Sequence, residues 1–480
     1  MVSLKQAVTL GMVFTSATLI GYDSGYLNGV LASEDFIQRY GVREDGGDNW
    51  YLTARTRALF TSMFAPGTIV GCLLASAIAD RVGRKGSFLL AAIACMVGVS
   101  VQAAGPPSSA FIVARLVHGI GLGLISIVVL TCGNVVACAI SLATSNLSGS
   151  KSWRITIAFQ LSLALFVFLG AIIVPESPTI LLRRGKIDDA TRSVLALRNL
   201  QPGSTELHNV LQEVQAWLTE ENSFGKVDVK DCFRGTNLRR TLVGVGMAFM
   251  TLATGINFWF GYGVTFFEAA GVKNAYLISL ILPITNCVFT APSIYLIEKI
   301  GRRALMFAGG AVMALSEILT AVIHTVAPGS TASTNMILAG TIMFIAGYAS
   351  SWGPAGWLLM AEPYSARLRT HSTTLSMIVY WVTTWGVGFV TPYIVDETAA
   401  NLGVNITYIW FATTIISLIW AYLCVPELAG LSTAEVDILF EEKVPAWKSI
   451  AWKKELQIVE GAVSPEDGPC LVFEPSKEIQ

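Results

Sequence analysis

Eleven apolar runs dominate this chain, at residues 6–31, 58–79, 88–104, 108–143, 155–174, 241–267, 275–297, 304–327, 335–361, 374–395 and 406–425, none shorter than 17 residues. A helix needs about 20 apolar residues to cross roughly 30 Å of hydrocarbon, so each run reads as a membrane crossing. In lipid every backbone N–H and C=O has to be paired within the segment, which makes the runs helices; a transmembrane barrel would show alternating strands of about ten residues. Composition agrees: 14% charged residues lies well below the roughly 25% of soluble domains. Lys+Arg 32 against Asp+Glu 33 leaves a net charge of −1, which excludes an overall basic nucleic-acid binder. Run one starts almost at Met1 and is too long for the apolar region of a cleavable signal, so it is read as a retained span. The eight cysteines form no CxxC and sit mostly inside apolar runs; they are read as small buried hydrophobes, with no metal site expected.

Charge sets the topology. Residues 175–240 hold ten Lys and Arg, and further clusters stand at Arg81, Arg84 and Lys85, at Lys299, Arg302 and Arg303, and at Arg367 and Arg369. The positive-inside rule places all of them on the cytoplasmic face. The opposite face has Arg39, Arg43, Arg55 and Arg57, diluted by Glu34, Asp35, Glu44, Asp45 and Asp48. This holds only if the 108–143 run crosses twice, giving twelve crossings. As one helix its 36 residues would extend about 54 Å, far beyond the hydrocarbon. As two it is too short: after the polar Thr131-Cys132-Gly133-Asn134 only nine residues remain, about 14 Å.

The chain also echoes itself. Asp80-Arg81-Val82-Gly83-Arg84-Lys85 is answered by Glu298-Lys299-Ile300-Gly301-Arg302-Arg303, and Val174-Pro175-Glu176 by Val425-Pro426-Glu427. Parallel six-helix repeats with substrate bound between the halves define one large transporter class. Asp80 to Pro175 is 95 residues but Glu298 to Pro426 is 128, so the first half is 33 residues short, and the shortfall falls on the anomalous run. The division expected is 1–174 as the first membrane half, 175–240 as a cytoplasmic loop with short amphipathic helices at 185–222, 241–440 as the second half, and 441–480 as a polar, unstructured cytoplasmic tail.

These motifs carry a resemblance. Gly21-Tyr22-Asp23, the two glycine–arginine loops, Arg115 followed by Gly119, Gly121 and Gly123, Pro175-Glu176-Ser177-Pro178, Thr254-Gly255-Ile256-Asn257, Gly353-Pro354-x-x-Trp357 and Val425-Pro426-Glu427 together resemble the sugar porters of the major facilitator superfamily, fungal hexose transporters above all, over residues 10–440. The resemblance implies an all-α membrane fold of two six-helix halves and sugar transport by alternating access. It also implies a deletion: family members carry a Pro-x-Tyr-x-x-Glu stretch, an Arg-Gly turn and a Gln-bearing start of helix five after helix four, whereas here Leu130 runs directly into Thr131-x-Gly133.

A charge inside a span costs at least ~2.5–3.5 kcal/mol on insertion scales, so it pairs or lines a wet cavity. Asp23 lies eight residues below the outer end of run one and Arg115 seven below the start of run four, at similar depth. By resemblance Asp23 is the proton acceptor and Arg115 its tuner, with a purely structural ion pair as the alternative. Sugar hydroxyls need donors and acceptors together, while C–H faces need apolar platforms. The resemblance therefore points to Asn257 and Asn286 as amides, to Trp357 and Trp381 as platforms, and to Gly353 beside them. The family's paired glutamines are replaced by Thr251 and Leu252, its helix-eleven Asn by Tyr380 and its gating Tyr by Gly261. Each unpaired hydroxyl costs about 1–3 kcal/mol, so hexose affinity is expected to be weak or the substrate different.

The loop motifs are implied to be cytoplasmic latches: Asp80, Arg81, Gly83, Arg84 and Glu176 in the first half, Glu298, Gly301, Arg302, Glu362, Arg369 and Glu427 in the second. Gly119, Gly121 and Gly123 are read as helix-packing glycines, and His118, Glu317 and His324 as packed rather than relaying protons. Asn146 and Asn405 head glycosylation sequons too close to the membrane for efficient use. The expected partners are a small sugar and the lipid bilayer, with no nucleic acid, a monomeric state and a plasma-membrane location. Protons are the expected coupling ion, with no prosthetic group and no enzymatic constellation. Alternatives are a non-transporting sensor-like or defective relative, or a small-metabolite efflux carrier; a tail of about 40 residues disfavours the sensor, since known sensors carry long ones.

Overall fold

The computed structural model describes residues 4–462 apart from 44–48, 126–130, 146, 148, 224–227, 270–273, 366 and 396–399. The first half begins with α1 (Leu4–Leu31) and an outer segment, α2 (Glu34–Tyr40), followed by two-residue strands β1 (Val42–Arg43) and β2 (Trp50–Tyr51) paired antiparallel. Then come α3 (Ala54–Ser62), α4 (Phe64–Ala104), α5 (Ser108–Ile125), α6 (Thr131–Thr144) and α7 (Lys151–Ile173). Gly83, at φ 89° and ψ 170°, breaks α4 into two crossings. The centre folds as α8 (Pro178–Arg183), α9 (Ile187–Arg198) and α10 (Thr205–Ser223), the last two joined through Val194, Leu207 and Val210.

The second half holds α11 (Thr236–Ala253), α12 (Ile256–Ala269), α13 (Ala275–Lys299), α14 (Arg302–Val326), α15 (Thr331–Ser350), α16 (Trp352–Leu359), α17 (Arg369–Val395) and α18 (Ile406–Cys424), then α19 (Thr433–Glu441) and α20 (Ser449–Ala462). Two of its crossings are broken. Gly255 at φ 85° separates α11 from α12, and a β-carbon there would run into the Trp410 indole; Ser351 at φ −140°, ψ −81° separates α15 from α16. Broken helices expose backbone polar groups at mid-depth, where transporters of this architecture bind substrate.

The anomalous run divides as two segments. α5 has 18 residues and α6 has 14, about 27 and 21 Å long. The junction where a deletion would fall lies outside the described residues. α6 packs tightly against α1 because Gly25, Gly29 and Gly133 let the helices approach: a β-carbon on them would meet Asn134, Ser141 and the Thr18 carbonyl. Gly119 and Gly123 do the same for α5 on α4, against Phe64 and Thr68 carbonyls, and Gly121 against Ala91 and Cys95.

The tail departs from the unstructured reading. Ser432 and Glu435 form a capping box for α19, and α20 docks beneath the second half: the Ser449 hydroxyl accepts the Glu427 N–H at 2.8 Å, and Trp447 stacks on Tyr422. Its polar composition concealed a few anchoring aromatics. Residues 463–480 lie outside the described residues.

Candidate functional site

The most deeply buried charges of the first half meet in one cluster. The guanidinium of Arg115, on α5, donates to Asp23 Oδ1 of α1 at 2.7 Å, and both side chains are 1% exposed. Arg115 also donates to the Tyr26 hydroxyl at 3.0 Å and to the Phe60 carbonyl at 3.0 Å, and Tyr26 in turn donates to Gln102 at 2.9 Å. The spacing explains the assembly: Asp23 and Tyr26 are three residues apart on α1, so one face of the helix delivers both. Breaking a buried pair by removing one partner strands a charge, at about 3–5 kcal/mol. His118, three residues beyond Arg115 and open in the sequence to packing or to facing the cavity, has its Nδ1 3.3 Å from Asp23 Oδ1.

A run of aromatic rings leads from this cluster into the second half. The Arg115 guanidinium lies 4.9 Å from the Phe64 ring centre, Phe64 meets Trp381 edge-on at 5.8 Å, Trp381 meets Tyr380 at 5.3 Å, and Tyr380 meets Trp357 at 5.1 Å. Trp357 is 37% exposed and Trp381 is buried with its indole N–H unpaired. Two platform candidates thus belong to one array, and Tyr380 fills the space between them rather than offering an amide. Asn257, two residues past the break at Gly255, reaches Thr384 of α17 at 3.5 Å. Asn286 is buried on α13 and accepts only from Thr290 of its own helix, at 3.5 Å, so no hydrogen bond among the described residues joins it to Asn257. Gly353 sits just past the α15–α16 break, against the Tyr348 ring. Thr251, replacing a family glutamine, is buried with its hydroxyl unpaired.

On the outer side the halves are joined. Asn28 of α1 accepts the Val264 N–H of α12 at 3.1 Å, Tyr276 of α13 donates to the Gly29 carbonyl at 3.2 Å, and α6 packs on α13 as α17 packs on α3. On the cytoplasmic side the latch contacts stay within each half. Glu176 accepts the N–H groups of Arg84 at 2.8 Å, Lys85 at 3.2 Å and Ser177 at 2.9 Å. Glu427 accepts those of Arg302 at 3.0 Å, Arg303 at 2.9 Å and Ala429 at 3.0 Å. Each glutamate thereby caps the helix that opens after its loop glycine, and a β-carbon on Gly83 or Gly301 would strike that carboxylate. This accounts for the repeated glycine. Arg302 pairs with Glu362 at 2.9 Å, and Asp80 with Arg183 of α8 at 3.4 Å. Arg81 is exposed and lends its carbonyl to Arg184 at 2.9 Å. Glu298 and Arg369, assigned to the latch by resemblance, are exposed and enter no ion pair among the described residues; Arg367 pairs instead with Asp231 at 3.2 Å.

Several residues escaped sequence reasoning. Phe64 and Gln102 carry no motif. Arg240, buried on α11, pairs with Asp437 of α19, and Arg303 donates to the Tyr422 carbonyl at 3.3 Å and to that of Val425, closing the end of α18. Glu317 is buried with neither carboxylate oxygen hydrogen-bonded, and His324 meets Ser333 at 2.9 Å, so no hydrogen bond among the described residues joins the two.

The arrangement matches known proteins. The family described as "Sugar (and other) transporter" matches residues 8–130 and 127–440, two segments that meet at the α5–α6 junction. The chain is 30% identical to the "High glucose sensor RGT2" of Saccharomyces cerevisiae over 96% of its own length and 63% of the sensor's. It is also 30% identical to the "Major facilitator-type transporter ecdD" of Aspergillus rugulosus, over 92% and 88% of the two chains. Its fold is similar to the E. coli xylose transporter XylE in a partially occluded inward-open conformation, with a TM-score of 0.72, 20% identity and 90% and 100% of the chains covered. These matches and the helical two-half architecture identify the chain as a member of the sugar (and other) transporter family with the major facilitator fold.

Proposed function

We propose that this chain moves a sugar, a hexose or related polyol, across the plasma membrane by alternating access, coupled to a proton held at Asp23 and tuned by Arg115. The observation that carries this reading is the ion pair buried at 1% exposure and linked through Phe64 to the Trp381–Tyr380–Trp357 array. A charge change at Asp23 alters the Arg115 contacts, and Arg115 touches the ring that touches the platform. The closed outer side and the latches kept within each half are those of an inward-facing state. Tyr380 in place of an amide favours a substrate with fewer hydroxyls to satisfy, or one bound weakly. The chain acts as a monomer and needs no prosthetic group.

Uptake of labelled hexoses and polyols by yeast lacking its own hexose carriers tests the proposal. We expect accumulation that a protonophore collapses. No uptake of any of them would favour the second reading, a sensor-like protein, which the 30% identity to the yeast sensor supports. Sequencing the transcript across codons 126–140 decides whether the short α6 belongs to the protein or hides an omitted exon.

A further inference from the structure

The Asp23 cluster contains a third ionisable group, His118, that neither the pairing with Arg115 nor helix packing accounts for. Its ring is wholly buried on α5, its Nδ1 is 3.3 Å from Asp23 Oδ1 but off the line of a hydrogen bond, and its Nε2 has no partner. Asp23 Oδ2 is likewise unpartnered. Among the described residues the ionisable groups around the imidazole are Asp23 and Tyr26 from α1, Arg115 from its own helix, and Cys95 from α4, whose thiol faces the His118 carbonyl at 3.9 Å.

We infer that His118 is a proton-binding site of the transport cycle, sharing one proton with Asp23 across this 3.3 Å gap. The inference rests on the proton-coupled reading above and deepens it. A proton placed on Asp23 alone cancels the one carboxylate that the described residues set against Arg115 and leaves a buried guanidinium with neutral partners, an expensive arrangement. A proton on His118 Nδ1 leaves the carboxylate intact between two cations, so Arg115 keeps its partner while the site gains the same single charge. A small rotation of the ring aligns Nδ1–H on Asp23. The proton comes from external water when the outer side opens, forms an N–H bond at Nδ1, and leaves to cytoplasmic water after the halves rock; no electron moves.

The test compares wild type with His118→Gln in proteoliposomes by two readouts: accumulation of labelled hexose driven by an imposed pH gradient, and gradient-free counterflow as a function of pH. The expected result is counterflow retained at its best pH, with its pH profile flattened or its midpoint moved by at least about one pH unit, and accumulation reduced. A counterflow profile superimposable on wild type overturns the inference. If wild type shows counterflow but no gradient-driven accumulation, the symport reading fails on its own, and the pH profiles still decide His118. If Gln at 118 abolishes counterflow at every pH, or if wild type itself moves none of the sugars, NMR of wild-type protein with ring-labelled histidine decides. His118 is identified there among the four histidines by assigning the other three through His208→Gln, His324→Gln and His371→Gln. A ring signal that moves between pH 5 and 9, and moves differently in Asp23→Asn, supports the site; one that stays fixed overturns it.

Discussion

α6 and α17 hold equivalent places in the two halves, fifth of six crossings each, yet one has 14 residues and the other 27. At ~1.5 Å per residue that is about 21 Å against about 40 Å. α6 is fitted to α1 through Gly25, Gly29 and Gly133 and to α13 across the interface. The difference continues into the latches. In the second half the segment before α17 supplies Glu362 to Arg302. In the first, the segment before α6 is only residues 126–130, and Arg84 enters no ion pair among the described residues. The glutamate caps, by contrast, are the same in both halves, down to the glycine at positive φ. Among the described residues the repeat thus divides into a glutamate clasp shared by both helix starts and one Arg–Glu pair, Arg302 with Glu362, that has no counterpart at Arg84.

The comparison can be broken by matched substitutions. The largest effect is expected at the clasps. Gly301→Ala and Gly83→Ala combine a backbone conformation that by itself costs non-glycine residues about 1–3 kcal/mol with a β-carbon driven into the capping carboxylate, and the two costs add. Thermal unfolding in detergent should show Gly301→Ala as the worse, because Glu427 is buried at 6% and also engages Ser449, whereas Glu176 is half-buried. Equal or reversed effects would remove the asymmetry. Next comes the latch itself: Arg302→Gln should cost about 1.5–3 kcal/mol through the lost charge-assisted bond to Glu362, and Arg84→Gln less than about 0.5 kcal/mol. A double-mutant cycle of Arg302 with Glu362 isolates the pair; no coupling would show that the second-half latch is no stronger than the first. Smallest of all, Glu298→Ala and Arg369→Ala should each shift stability by less than about 0.5 kcal/mol. A larger loss would mean that both residues hold the fold together despite their exposure.

Much of this was legible in residue order. Apolar runs gave the crossings, because lipid leaves the backbone few options, and the depth of Asp23 and Arg115 brought them to one level. The repeated glycines were visible, but their reason was not: Glu176 lies 92 residues from the Arg84 amide it caps, and Glu427 lies 125 from that of Arg302. His118 shared a helical face with Arg115, yet nothing in the order of residues said that Asp23 would sit between them. The docked α20 was hidden for the opposite reason, since a polar segment held by Trp447 and Ser449 has the composition of a loose tail. Glu298 and Arg369 show the limit of motif transfer, since a motif names residue types and not the conformation in which they meet.

We propose that the buried Asp23–Arg115 pair couples sugar movement to protons. Reconstituted protein in vesicles with an imposed inward proton gradient tests it most directly, by following labelled hexose in wild type and Asp23→Asn. Wild type should accumulate hexose above equilibrium, and Asp23→Asn should lose accumulation by at least about tenfold with exchange retained, as expected when a transport-specific charge rather than the fold is removed. Undiminished accumulation in Asp23→Asn would contradict it.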